Sequence, residues 1–134
     1  RAAGSQAEFA RIDRDLPILI GRFAKAAGAS RYALNSSLGA SPTGNFYLRT
    51  KAEAEQGIID LGFASTTLVR PSLIDAEREL SRPAEHLGVL FARTLKPLIP
   101  KKYRVVTPQQ IAQALLRGVL EAKPGVHVVE SDAL

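Results

Sequence analysis

Tyr47 and Lys51 stand four residues apart, as Y-x-x-x-K, in a stretch whose pattern is helical. Four residues is about one helical turn, so both side chains project from the same face. An ammonium beside a phenol favours the phenolate and draws its pKa from about 10 toward neutrality. A tyrosine tuned this way can give a proton to a carbonyl oxygen, or take one from an alcohol in the reverse direction. Ser36 and Ser37 close the apolar run that precedes the pair. A hydroxyl from either can donate to the same oxygen and help hold developing negative charge. The dyad alone is a common coincidence. Its placement carries more weight: strand, Ser-Ser, glycine-bearing loop, then tyrosine on the first turn of a helix. Arg70-Pro71-Ser72 ends the next apolar run, and ligands in open α/β sheets sit beyond the carboxyl ends of the strands.

The elements that must hold these groups can be read from periodicity and punctuation. Residues 5–27 read as a helix whose apolar face is Phe9, Ile12, Leu16, Leu19, Ile20 and Phe23. Ser5 and Glu8 form a capping-box signal, and Gly28 is a plausible stop. Pro17 implies either a kink or a helix that begins there with Asp15 as cap. Residues 32–36 read as a buried strand, 38–45 as a punctuated loop, and 46–61 as a helix stopped by Gly62. Residues 65–69 read as a second strand ended by Pro71, and 72–82 as a charged surface loop. A helix over 83–98 follows, with Leu87, Leu90, Phe91 and Leu95 on one face, then a short strand or extended link over 103–106. Thr107-Pro108-Gln109-Gln110 is a strong helix start, running to about residue 122. Pro124-Gly125 turns the chain into a last strand over 126–130. Continuously apolar strands alternating with helices indicate a parallel sheet covered on both faces. We read one domain over 1–134, or the second half of one.

Composition bounds the rest. The chain has 134 residues, 46% hydrophobic and 23% charged, enough for one real core. With no Cys, disulfides, thiol nucleophiles and Cys-ligated metals are excluded. The two histidines, His86 and His127, lie far apart, so no metal site is expected. No apolar run approaches the ~20 residues a bilayer span needs, and no signal-peptide pattern opens the chain. No membrane partner is expected, and a cytoplasmic location is the default. A net charge of +5 and a pI near 9.9 permit an anionic ligand or nucleic acid. The basic residues are mostly interspersed with acidic ones. The one local excess, Arg93, Lys96, Lys101, Lys102 and Arg104, reads as a solvated helix end and loop. No recognition-helix motif accompanies it, so nucleic acid is not an expected partner.

The run S-S-L-G-A-S-P-T-G-N-F-Y-L-R-T-K-A-E-A-E, followed by V-R-P-S-L and S-R-P-A-E, resembles atypical short-chain dehydrogenases/reductases. More narrowly, it resembles the Tat-interacting oxidoreductase-like group, which is also placed with the NAD-dependent epimerase/dehydratases. The opening A-G-S…F-A-R-I-D-R-D-L-P is similar to that group's helix before the serine strand, so the likeness covers essentially the whole chain. It implies a fold: the C-terminal part of a Rossmann-type doubly wound parallel sheet. It implies a reaction: NAD- or NADP-dependent carbonyl/alcohol redox, or epimerase-like chemistry, on a small carbonyl or alcohol substrate.

By the same resemblance Ser37 is the substrate-polarising serine, with Ser36 its substitute, and Tyr47 is the acid/base. Lys51 would lower the Tyr47 pKa and hold the nicotinamide ribose. Pro71 and Ser72 would line the nicotinamide pocket, and Asp13 would take the group's polar position beneath the active site. Arg78 and Arg82 become candidates for substrate or phosphate contacts, against a structural ion-pair role. The gap from Ser37 to Tyr47 suits this group but is short for the superfamily at large. The Gly-rich turn that would seat a pyrophosphate is absent, and with it the N-terminal nucleotide-binding half, so this chain as given does not hold the adenine half of a dinucleotide in that group's way. Dimerisation through the Tyr47 helix is common in this superfamily. Here Glu53, Glu55 and Gln56 give that helix a polar outer side, which leaves monomer and homodimer both open. The alternative to an enzyme is a non-catalytic NAD(P)-binding redox sensor or partner-binding regulator.

Overall fold

The computed structural model describes residues 5–72 and 105–134. β1 (Arg31–Asn35), β2 (Ser65–Arg70) and β3 (Gly125–Glu130) form one sheet in the order β1-β2-β3, with both neighbouring pairs parallel. The architecture is therefore α/β with a parallel sheet, as the alternation of elements led us to expect. Arg31 is paired with Ser65 and Arg70 with Glu130, so the three carboxyl ends share one edge. β2 lies between its neighbours and is buried from Ser65 to Val69. β1 and β3 are edge strands among the described residues, and Val126 and Val128 of β3 stay exposed. Burial on both faces thus holds for β2 and not for all three strands. The expected first and last strands are each offset slightly: β1 ends at Asn35, and β3 begins at Gly125.

Helices cover both faces of β2 because neighbouring strand residues point to opposite sides. α3 (Phe46–Asp60) sets Ala54 and Ile58 against Leu34, Phe63 and Leu68. On the other face α4 (Pro108–Glu121) sets Ile111 and Ala114 against Val69 and Val106. Fully burying side chains such as Ile58, Leu68 and Val69 contributes roughly 1.5–3 kcal/mol each. Gly118 lets α4 close on the strand, since a Cβ there would overlap the Thr67 side chain. The expected start of α4 is confirmed atom by atom. Thr107 Oγ1 accepts from the Gln110 N–H at 3.1 Å, and the Gln110 side chain accepts from the Thr107 N–H at 2.8 Å. The helix ends with Ala122 in the left-handed region, at φ 52°.

The first helix is one body with a fault in it. α1 (Gln6–Ala10) begins at the Ser5 cap and runs into a π-helical turn (Arg11–Asp15), then into α2 (Leu16–Ala26). The Leu16 N–H reaches back to the Arg11 carbonyl. Pro17, in the first turn of α2, has no N–H to give. Widening the turn just before a proline is a recognised way to accommodate it. Asp15 keeps helical φ and ψ and makes no side-chain cap, so no new helix starts at Pro17 and the irregularity is the π-helical turn before it.

The apolar face predicted for this helix is only partly a core face. Phe9 is buried, but Ile12, Leu16, Leu19 and Ile20 are substantially exposed, and Phe23 is 67% exposed. The packing of α2 runs through different residues. Ile18 and Tyr32 join the α3-side cluster, and Gly21 comes close to Leu61, Tyr32 and Ile58. The stripe with the helical period faces the free edge of β1, where no further strand is present among the described residues.

The expected loop after Ser72, the helix over 83–98 and the start of the link over 103–106 lie outside the described residues, as do Arg78 and Arg82.

Candidate active site

The sheet's carboxyl edge carries most of the residues singled out from the sequence. The pairing of β1 with β2 continues past Asn35: the Ser36 N–H donates to the Val69 carbonyl at 2.7 Å, and the Leu38 N–H to the Pro71 carbonyl at 3.0 Å. These two bonds hold the Ser36-Ser37 segment beside Pro71 and Ser72. Ser36 lies two residues beyond Leu34, on the α3 side, and its hydroxyl is buried with no partner among the described residues. Ser37 is half-buried, with its hydroxyl a long 3.4 Å from the Leu38 carbonyl. Ser37 is therefore the serine whose hydroxyl is free of a strong bond and partly open. Pro71 is buried, while the Ser72 N–H donates to Ser131 Oγ at 3.2 Å and Ser131 Oγ donates to Ser72 Oγ at 3.0 Å.

The loop over 38–45 delivers the chain to α3. Gly39 has φ 82°, a conformation that favours glycine. Asn45 then caps the helix: its Oδ1 accepts from the Leu48 N–H at 2.9 Å. That cap puts Tyr47 on the first turn, where its ring packs on Phe9 at 5.2 Å between centroids. Lys51 follows one turn later, with Nζ 5.8 Å from the Tyr47 ring centroid and 3.0 Å from Asp13 Oδ2. The Lys51 side chain is 12% exposed, so the ion pair is mostly withdrawn from water. The π-helical turn is what carries Asp13, its central residue. No hydrogen bond joins the Ser36 or Ser37 hydroxyl to Tyr47 or Lys51 among the described residues.

Lys51, Asp13, Asn35, Leu34 and Ile12 line a cleft of about 380 Å³ beside β1. A larger cavity of about 460 Å³ lies between α4 and β3, and none of the residues predicted for the site lines it. The chemistry argues for the smaller one, because it adjoins the ammonium and the carboxyl end of β1.

One ionic cluster escaped the sequence reading. Glu55, four residues beyond Lys51, was expected on the polar outer side of its helix. It is in fact 5% exposed. Arg70 donates to it twice, Nε to Oε2 at 2.9 Å and Nη2 to Oε1 at 2.7 Å, and donates from Nη1 to Glu130 Oε2 at 3.1 Å. The hydrogen bonds that Arg70 donates to Glu55 chiefly hold the guanidinium above its ordinary pKa, against the opposing effect of burial. Glu53 behaves as expected, exposed and paired with Arg14 at 2.8 Å. The signal that could have found Glu55 is its spacing: Tyr47, Lys51 and Glu55 repeat every four residues and share a stripe.

No family model matches the chain. Comparison with known proteins finds Fmp52 proteins, named mitochondrial, and HTATIP2. The chain is 44% identical over 95 residues to Fmp52 of Emericella nidulans, covering 70% of this chain and 41% of that protein. Against FMP52-1 of Scheffersomyces stipitis it is 39% identical over 82 residues, 60% of this chain and 36% of the relative. Against HTATIP2 of Rattus norvegicus it is 31% identical over 136 residues, all of this chain and 55% of the relative. The chain thus spans about half or less of the relatives it matches. The Fmp52 names correct the cytoplasmic default: they point to mitochondria. The default rested on lacking a membrane span or secretory signal, and neither speaks to import into an organelle. Along all of its own 134 residues the chain is similar to HTATIP2, and along more than half of them to the Fmp52 proteins.

Proposed function

We propose that this chain is the catalytic part of a NAD(P)-dependent oxidoreductase of the short-chain dehydrogenase/reductase type, built on the C-terminal part of a Rossmann-type doubly wound sheet. The observation that carries the reading is Tyr47 and Lys51, one turn apart at the start of α3, with Lys51 pinned by Asp13 at 3.0 Å above the carboxyl edge of a parallel sheet. The donor set suits the nicotinamide-ribose half of a dinucleotide: Lys51 donates, Asp13 accepts, and the exposed Tyr47 hydroxyl can do either. When bound, the nicotinamide would supply a hydride to a carbonyl carbon, or accept one from an alcohol carbon in the reverse direction.

The residues of this chain do the rest. Tyr47 gives its phenolic proton to the substrate oxygen in reduction and takes it back in oxidation. Lys51, one turn beyond Tyr47 and held by Asp13, donates to the ribose. Ser37, with Ser36 as substitute, donates to the same oxygen as charge develops. Pro71 and Ser72 line the nicotinamide side, and Arg78 and Arg82 remain candidates for substrate or phosphate contacts. The substrate is a small carbonyl or alcohol, and following the Fmp52 names the protein acts in mitochondria.

The experiment uses the full-length protein. NADH and NADPH are titrated in a thermal-shift assay, then tested with a panel of aldehydes, ketones and quinones. We expect stabilisation by one nucleotide, turnover of at least one carbonyl class, and a fall of about 100-fold or more in kcat for Tyr47→Phe with nucleotide binding retained. A protein that binds neither nucleotide overturns the proposal. Binding without turnover on any carbonyl establishes instead a non-catalytic nucleotide sensor.

A further inference from the structure

Arg70 sits where three parts of the candidate site meet. Its backbone lies between the two carbonyls, Val69 and Pro71, that hold the Ser36–Leu38 segment. Its side chain grips Glu55 on α3 with both arms of a fork, at 2.9 and 2.7 Å. Its remaining arm reaches Glu130, the residue opposite it on β3, at 3.1 Å. Glu55 is in turn one turn beyond Lys51 and two beyond Tyr47 on one helical stripe.

Among the described residues α3 also packs Ala54 and Ile58 against Leu34 and Leu68 of the sheet, and its Lys51 and Glu53 pair with Asp13 and Arg14 of the first helix. Apolar burial is non-directional. It holds the helix down, but sets its rotation and its height along the strands only loosely. A bidentate guanidinium–carboxylate pair has fixed geometry and does set them. Catalytic groups need placement to about 0.5 Å and 10–20°, a tolerance that Ala54 and Ile58 alone do not impose. Stability is a weak reason for such a cluster, because withdrawing Glu55 from water offsets much of the attraction.

We propose that Arg70 is a positioning residue: by clamping Glu55 it fixes the rotation and height of α3, and so presents Tyr47 and Lys51 to the Ser36-Ser37 segment that its own strand holds. This rests on the oxidoreductase reading for its purpose, and on the ion-pair geometry for its mechanism. Neither Arg70 nor Glu55 touches substrate; both act through α3.

The test uses the full-length protein with tyrosines labelled at ring Cζ, the Tyr47 resonance being assigned by Tyr47→Phe. The variants are Glu55→Gln, Arg70→Lys and the double variant Glu55→Met/Arg70→Met, which removes both charges together. We expect the Tyr47 resonance to move in each folded variant. With NADH or NADPH and whichever aldehyde, ketone or quinone of the panel the wild type turns over, kcat should fall about 10- to 100-fold while the nucleotide KM changes by less than about 2-fold. A folded variant whose Tyr47 resonance and kcat both match the wild type overturns the proposal, even if its thermal midpoint falls. If the single variants fail to fold, the double variant decides by the same criteria. If the wild type turns over no carbonyl, the oxidoreductase reading fails, and the Tyr47 resonance still decides whether Arg70 sets the helix.

Discussion

Lys51 shows how one side chain can be half-legible in a sequence. Its spacing from Tyr47 follows from helical geometry and needs no tertiary knowledge. Its pairing with Asp13 joins a π-helical turn to α3, and geometry within one element does not foretell it. Replacing Asp13 by Ala leaves a mostly buried ammonium without its acceptor. We expect a loss of about 1–3 kcal/mol, read from urea midpoints. The neighbouring Tyr32 supplies a pH test. Burial pushes its pKa up, and its hydroxyl donates to the Pro17 carbonyl. A pKa higher folded than unfolded gives stability that is complete below about pH 10 and lost as pH rises through the folded value. Tyr32→Phe should cost about 1 kcal/mol at neutral pH and abolish that component of the alkaline loss. Urea unfolding of both proteins at neutral and alkaline pH checks the sign.

At the scale of elements, what was legible is what is local. The Thr107–Gln110 capping box is satisfied by residues three apart, and it formed as read. Thr107→Ala should cost about 1 kcal/mol, measured by urea unfolding. The close approach of α4 to β2 is not local and was not foreseen. Gly118 faces Thr67, whose side chain a Cβ would overlap, so Gly118→Ala should destabilise by about 1–3 kcal/mol. A smaller loss would mean that α4 shifts freely over the strand. The α1–α2 helix shows the opposite error. A period of three and four says which residues share a face, but not whether another element covers it, and Leu16, Ile20 and Phe23 are exposed. Glu55 is the converse, a charged residue read as surface that the fold buries against Arg70.

For the whole molecule, the order of elements and the parallel sheet followed from apolar runs separated by helical patterns. The sheet's protection is uneven in a way only its topology predicts. β2 is bonded on both edges and covered on both faces, whereas β1 and β3 each have an edge unpaired among the described residues. Native-state hydrogen exchange should find the slowest amides in β2, from Thr66 to Val69, with β1 and β3 opening at lower free energy. Equal protection across the three strands would show that the sheet opens only as a unit.

The sequence by itself determined the Y-x-x-x-K stripe, the serine pair before it, the Ser5 and Thr107 caps, and the α/β class. Each depends on residues within a turn or two of one another, or on the burial that a strand's composition demands. Tertiary structure alone decided which charges meet. Asp13 reaches Lys51, and Arg70 joins Glu55 to Glu130, because a π-helical turn and a parallel register bring separate segments within 3.1 Å. It also decided which apolar stripe becomes core, since burial belongs to the neighbours of a face and not to the face itself.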